Sequence, residues 1–169
     1  MEPLATSVIA VLGTLLGSAL THLFQRRATL RTEEFTRRER LRQERIDAYS
    51  SYGGALANYR RGQVDYWFAR HGGRVSEESE LHEMRREAQR LRAAAMEAMF
   101  RAELLTDSAA LHAVGRRALE AIGRIATAET RDELAREREV SRALIYEFIG
   151  ASRVHIPPHA ARPTGAPGA

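Results

Sequence analysis

The chain of 169 residues contains no cysteine, which excludes disulfides, Cys-ligated zinc, iron–sulfur clusters and thiol nucleophiles. It contains no lysine either, since all 26 basic residues are Arg. Schiff-base, P-loop-lysine and Ser–Lys chemistry are therefore excluded as well. No Gly-rich phosphate loop of the Walker or dinucleotide type is present. A di-iron bundle needs paired Glu-x-x-His motifs, but the residue three before His82 is Ser79 and the residue three before His112 is Ala109. His82 and Glu83 begin an HExxH-like string whose fifth position is Arg86, so the second zinc ligand is missing. Glu78 and His82 share a helix face at i and i+4 and read as a surface pair. Acidic residues alternate with Arg along helical faces, as in REREVSR, the pattern of a solvated, ion-paired surface. The expectation is a protein that is not an enzyme, with no catalytic residue, no cofactor and no metal.

The most informative segment that is present is Leu4 to Phe24, LATSVIAVLGTLLGSALTHLF, an uncharged run of 21 residues. As a helix it extends about 31 Å, close to the hydrocarbon thickness of a bilayer. Only Met1, Glu2 and Pro3 precede it, so a signal peptide's basic n-region is lacking, and a retained anchor is expected. Arg26, Arg27 and Arg31 follow it, which by the positive-inside rule places the C-terminal domain in the cytoplasm and the N-terminus outside. The same three arginines are candidates for anionic lipid contact, each contributing about 1 kcal/mol near an anionic leaflet. Gly13 and Gly17, extended by Thr21, form a GxxxG face on which a second membrane helix can pack. The frequency of Gly in membrane helices accounts for that face slightly better than a dimer does. The net charge of +4 is matched by Arg26 to Arg45 alone, with eight Arg against four Glu. A sequence pI near 10.1 therefore points to topology before nucleic acid. Glu33, Glu34, Glu39 and Glu44 repel phosphates, no nucleic-acid-binding motif is visible, and no nucleic-acid partner is expected.

Beyond the span, residues 25–48 read as a charged juxtamembrane stalk with thin apolar content. From Tyr49 the pattern changes: Tyr49, Tyr52, Leu56, Tyr59, Gln63 and Tyr66 recur at spacings of three and four, one stripe of a helix. With Trp67 they make either a core seam or a partner-binding face. Gly53 and Gly54 allow close backbone approach there. His71 to Gly73 stop the helix, and Ser76 with Glu77, Glu78 and Glu80 signals the next start. A second seam runs Leu81, Met84, Ala88, Leu91, Ala95, Ala98, Ala102, Leu105, and its small residues are expected to face the large tyrosines. Thr106 and Asp107 are read as a cap for a third helix with seam Leu111, Val114, Ala118, Ile122, Ile125. Thr130 and Glu133 have capping-box spacing, and Leu134, Leu144, Ile145, Phe148 and Ile149 lie out of phase with the third seam, so a fourth helix begins there. The predicted domains are an anchor (1–24), the stalk (25–48), a cytoplasmic bundle (49–153) and a Pro/Gly/Ala-rich tail (154–169) too poor in apolar residues to fold.

An apolar N-terminal span, then QRR, then an Arg/Glu-rich helix passing into RIDAYSSYGGAL resembles small single-span helical membrane proteins of high-GC actinobacteria over the first seventy residues. The resemblance implies an architecture and carries over no functional residue. The layout is also similar to the b subunit of ATP synthase, from which the stop at His71 to Gly73 and the tyrosine seam depart. The expected fold is all-α: a transmembrane helix continuing into a long cytoplasmic helix, within an antiparallel three- to four-helix bundle. The expected function is a scaffold or docking module at the cytoplasmic face of the cell membrane, with lipid and a protein partner or a second copy as its contacts. A holin-like membrane-perturbing protein and an anchored regulator or enzyme with a ligand site are the alternatives.

Overall fold

The computed structural model of the chain describes residues 2–72 and 78–158, with side chains described throughout those ranges except at 2–24, 27, 28, 30 and 31. Among these residues the protein is all-helical. Helix α1 covers Glu2–His71, α2 Glu78–Leu104, α3 Ala109–Arg124 and α4 Arg131–Ser152, and a 3-10 turn follows each of the last two, at Ile125–Thr127 and Arg153–His155. No helix among the residues searched is long and apolar enough to cross a membrane. Leu4 to Phe24, with Gly13, Gly17 and Thr21, lies outside the described side chains, as do Arg27 and Arg31. The Ser76 cap also lies outside the described residues.

Two compact units divide the chain, and Arg42–Pro158 form one of them. In the other, the described side chains of α1 from Gln25 to Leu41 are mostly exposed, Arg26 included. There Arg38 pairs with Glu34 one turn back, and Thr29 and Thr36 donate to the carbonyls of Gln25 and Thr32.

In the Arg42–Pro158 unit the periodic stripe of α1 is the centre of the core. Tyr49, Tyr52, Leu56, Tyr59, Gln63 and Trp67 are buried, and Tyr66 is half-buried. Their contacts fix the helix directions. On α4, the partner of Gly53 is Ile149, while Arg60 donates to Ser141 Oγ at 3.2 Å and to the Arg138 carbonyl at 3.0 Å, so α1 and α4 run antiparallel. On α3, Tyr52 meets Gly115, Tyr59 meets Gly123 and Trp67 meets Ala128, a parallel crossing. Arg117–Glu147 and Arg124–Glu137 then make α3 and α4 antiparallel. The result is a four-helix bundle with alternating directions, the arrangement that short connections favour.

Two packing expectations are refined. The tyrosines share cavities with alanines of α2, Tyr52 with Ala102 and Tyr59 with Ala88, and they also meet α4: Tyr49 and Tyr52 pack edge-on against Phe148, with ring centroids 6.3 Å and 4.9 Å apart. The Tyr52 hydroxyl donates to the Gly115 carbonyl at 2.9 Å, and that of Tyr49 is bonded to Thr106 Oγ. Burial, and secondarily Glu103, pushes the Tyr52 phenol far above its ordinary value, with Arg116 opposing, so it remains a donor across the physiological range. The glycine that lets α2 approach α1 is Gly62, where an added Cβ would lie 2.5 Å from Leu91 Cδ1. Gly53 admits α4, while Gly54 faces open space.

The helix starts follow local hydrogen bonding. Ser108, not Thr106 or Asp107, caps α3, with its hydroxyl accepting from the Leu111 amide at 3.3 Å. Thr106 is unavailable because its hydroxyl is bonded to Tyr49 and its carbonyl to His112 Nε2. Thr130 caps α4 as the spacing implies: its hydroxyl accepts from the Glu133 amide at 3.2 Å, and the Glu133 carboxylate reaches back to the Glu129 amide at 2.8 Å. Replacing Thr130 with Ala is expected to lower stability by roughly 1 kcal/mol, and Thr130→Ser by much less. Thermal unfolding followed by circular dichroism checks both, and an unchanged alanine variant would remove the cap from the account.

Candidate functional site

The separation of α2 from α3 opens a broad groove on the bundle surface. The two helices are tied where α2 ends, by Glu103 and Arg116 at 3.1 Å. Nearer the start of α2 its inner face carries Arg85, Ala88, Gln89 and Arg92. Long apolar side chains that would close the gap are absent from those positions, so a groove of about 770 Å³ opens between α1, α2 and α3.

Helix α1 supplies Tyr59, Gln63, Tyr66 and Arg70 to this groove, one residue per turn from its core stripe. Gln63 is only 8% exposed, and its amide donates to the Tyr59 hydroxyl at 2.7 Å. That bond leaves the phenolic proton and the second amide N–H as further donors. Helix α3 and the turn after it contribute Leu119, Glu120, Gly123, Arg124, Ala126 and Thr127. Four guanidinium groups, Arg70, Arg85, Arg92 and Arg124, thus line the groove with one carboxylate, Glu120. Arg124 is bonded to Glu137 at 3.1 Å. Arg70, Arg85 and Arg92 have no carboxylate partner among the described residues.

A smaller cavity of about 210 Å³ adjoins it, sharing Tyr66 and Arg85 and adding Glu78, Leu81 and His82. Glu83 of the HExxH-like string lies 3.9 Å from Arg86 in an exposed ion pair. No group of three or more His, Asp or Glu side chains with a metal-holding arrangement occurs among the described residues.

The residues singled out from the sequence separate spatially. Tyr49 and Tyr52 are buried against α3 and α4. Tyr59 and Tyr66 line the groove. Trp67, 3% exposed, donates from Nε1 to the Ala128 carbonyl at 2.7 Å and stacks on His71 with centroids 4.5 Å apart. Sequence reasoning passed over Arg70, Arg85, Arg92 and Arg124. A signal existed for three of them: Arg70, Arg85 and Arg92 have no acidic residue three or four positions away. By contrast, Arg61, Arg86, Arg90 and Arg142 have one and use it, pairing with Asp65, Glu83, Glu87 and Glu139.

The folded unit coincides closely with a family match. Residues 46–156 match the family model described as KilB plasmid transfer protein. No curated protein and no solved structure matches the chain. The match begins just after Arg45, takes in all of α2, α3 and α4 and covers about two thirds of the sequence, so the chain belongs to the KilB plasmid transfer protein family.

Proposed function

We propose that the protein serves plasmid transfer as a membrane-anchored helical module, whose bundle docks a protein partner at the cytoplasmic face. The observation that carries this reading is the extent of the family match, which takes in the bundle from residue 46 to residue 156. The family-defining part of the chain is therefore the folded unit that follows the charged stalk. Anchoring rests on the uncharged Leu4 to Phe24 run with Arg26, Arg27 and Arg31 behind it. Docking is supported by apolar side chains held in water: on α2, Phe100 is 52% and Leu104 87% exposed, one helical turn apart. Paired exposed apolar groups of this kind have a use at an interface and none in the core.

Plasmid transfer frequency, measured in a host whose own copy of the gene is deleted, tests the reading. The full chain is expected to restore transfer, and a chain lacking residues 1–24 is expected to be made but to leave transfer at the level of the deletion. Restoration by the truncated chain would sink the anchor, and an unaffected deletion strain would sink the role in transfer. For the docking part, a photo-crosslinker at Leu104 should trap one defined protein in the membrane fraction, and a crosslinker at exposed Arg131 should not. Equal yields at the two positions would remove the α2 face as the docking surface.

A further inference from the structure

The groove between α1, α2 and α3 gathers arginines from three helices. Elsewhere in the bundle several arginines are paired with carboxylates within a turn, as Arg90 is with Glu87 at 2.8 Å, or across helices, as Arg117 is with Glu147 at 2.8 Å. Around the groove, three helices bring four guanidinium groups together: Arg124 is paired with Glu137, while Arg70, Arg85 and Arg92 have no carboxylate partner among the described residues and share the lining with Glu120. Like charges held together cost free energy, and the cost falls when an anion sits between them. The volume of about 770 Å³ lies inside the usual range for small-ligand sites, roughly 300–1,000 Å³. The floor is not a salt surface: Gln63 and Tyr59 are buried there and joined to each other, with Ala88, Leu119 and Ala126 as apolar wall.

We propose that this groove binds a small phosphate-bearing ligand of nucleotide size. The planar forks of Arg85 and Arg92 match phosphate oxygens two at a time, which a carboxylate-free wall of α2 leaves them free to do. Tyr59, Gln63 and the Tyr66 ring supply hydrogen bonds and an aromatic surface for the part of the ligand that is not phosphate. Glu120 sets the orientation, since it repels phosphate and accepts from a ligand hydroxyl or amine. The proposal is independent of the docking reading and of the anchor.

The test uses the full chain purified in a non-ionic detergent, so that no anionic lipid competes whether or not the chain is anchored. ATP, inorganic tripolyphosphate and a ten-residue polyglutamate peptide are titrated separately by calorimetry. ATP is expected to bind and to raise the melting temperature with concentration. Arg85→Gln with Arg92→Gln should weaken ATP about a hundredfold, tenfold per lost charged hydrogen-bonding group. Arg86→Gln with Arg90→Gln removes the same charge from the same helix, at positions already paired with Glu83 and Glu87, and should leave ATP affinity unchanged. The melting temperatures of both double variants without ligand show whether the bundle is intact. ATP binding more tightly than tripolyphosphate assigns the groove to a nucleotide; equal binding assigns it to the phosphate chain alone, and both support the proposal. Absence of binding by both phosphates overturns it, as does equal weakening by the two double variants. Polyglutamate binding as tightly as ATP also overturns it, because the groove would then be a site for an acidic protein segment.

Discussion

Phe148→Ala is expected to destabilise the bundle by about 3–5 kcal/mol, near the top of the range for losing a buried aromatic ring. Phe148 is 2% exposed and touches the two tyrosines that hold α1 to the other helices. A cavity left by its removal cannot close by those rings swinging inward. Tyr52 is tied through its hydroxyl to the Gly115 carbonyl and Tyr49 to Thr106, so filling the void would break a buried hydrogen bond. Gly115 adds a second constraint, because an added Cβ there would already lie 3.0 Å from Tyr52 Cε1 and 3.6 Å from the Phe148 ring. Domain stabilities of about 5–15 kcal/mol leave little margin for such a loss. The denaturant midpoint of Phe148→Ala, compared with Phe148→Leu, measures it. A loss below about 1 kcal/mol would show that the α1–α3–α4 junction repacks freely.

The second large effect is expected at Trp67. Trp67→Ala should cost about 3–5 kcal/mol. Trp67→Phe preserves most of the burial but removes the Nε1 donor to Ala128, and should cost about 1–3 kcal/mol through the acceptor left behind. Trp67 secures the last turns of α1 to the 3-10 turn that follows α3. Amides of α1 near Trp67 should therefore exchange faster in both variants, while those near Tyr49 keep their protection. Unfolding of the parent protein is readable from fluorescence, since this is the chain's single Trp; the variants need circular dichroism. If Trp67→Phe proves as costly as Trp67→Ala, the lost Nε1 hydrogen bond, common to both variants, is the source and ring volume is not.

What the sequence displays well is the face of each helix that turns inward. The three-four stripes put Tyr49, Tyr52, Leu56 and Tyr59, then Ala88, Ala95 and Ala102, then Leu111, Ala118 and Ile122 on inner faces, and those residues are buried. The start of α4 was legible for a similar reason, since Thr130 and Glu133 cap through bonds only three residues long. Which stripe meets which is decided by long-range packing and left no local mark. The contacts of Tyr49 and Tyr52 with Phe148, and of Tyr52 with Gly115, accordingly had no sequence signal. The α3 cap moved to Ser108 because a residue 57 positions earlier, Tyr49, had engaged Thr106. The groove escaped notice because charged helix faces read alike in one dimension. Arg70, Arg85 and Arg92 lack an acid three or four positions away, but so do Arg45 and Arg60, which lie elsewhere.

A clasp where α2 and α4 end bears on how the chain is made. Arg45, just before the tyrosine stripe, donates to the Leu105 carbonyl at 3.1 Å and, across 110 residues, to the His155 carbonyl at 3.0 Å. Arg42 likewise reaches the Pro157 carbonyl at 3.2 Å. At ~5–20 residues per second, about 5–20 s separate the emergence of Arg45 from that of its last acceptor. Throughout that interval the aromatic face of α1 has left the ribosome without the helix that covers it. Helices α3 and α4, adjacent in sequence, can pair as soon as both are out, whereas α1 must wait until His155 and Pro157 have emerged. A nascent or prematurely stopped chain therefore presents a row of uncovered tyrosines, the kind of surface that chaperones and proteases read as unfinished protein.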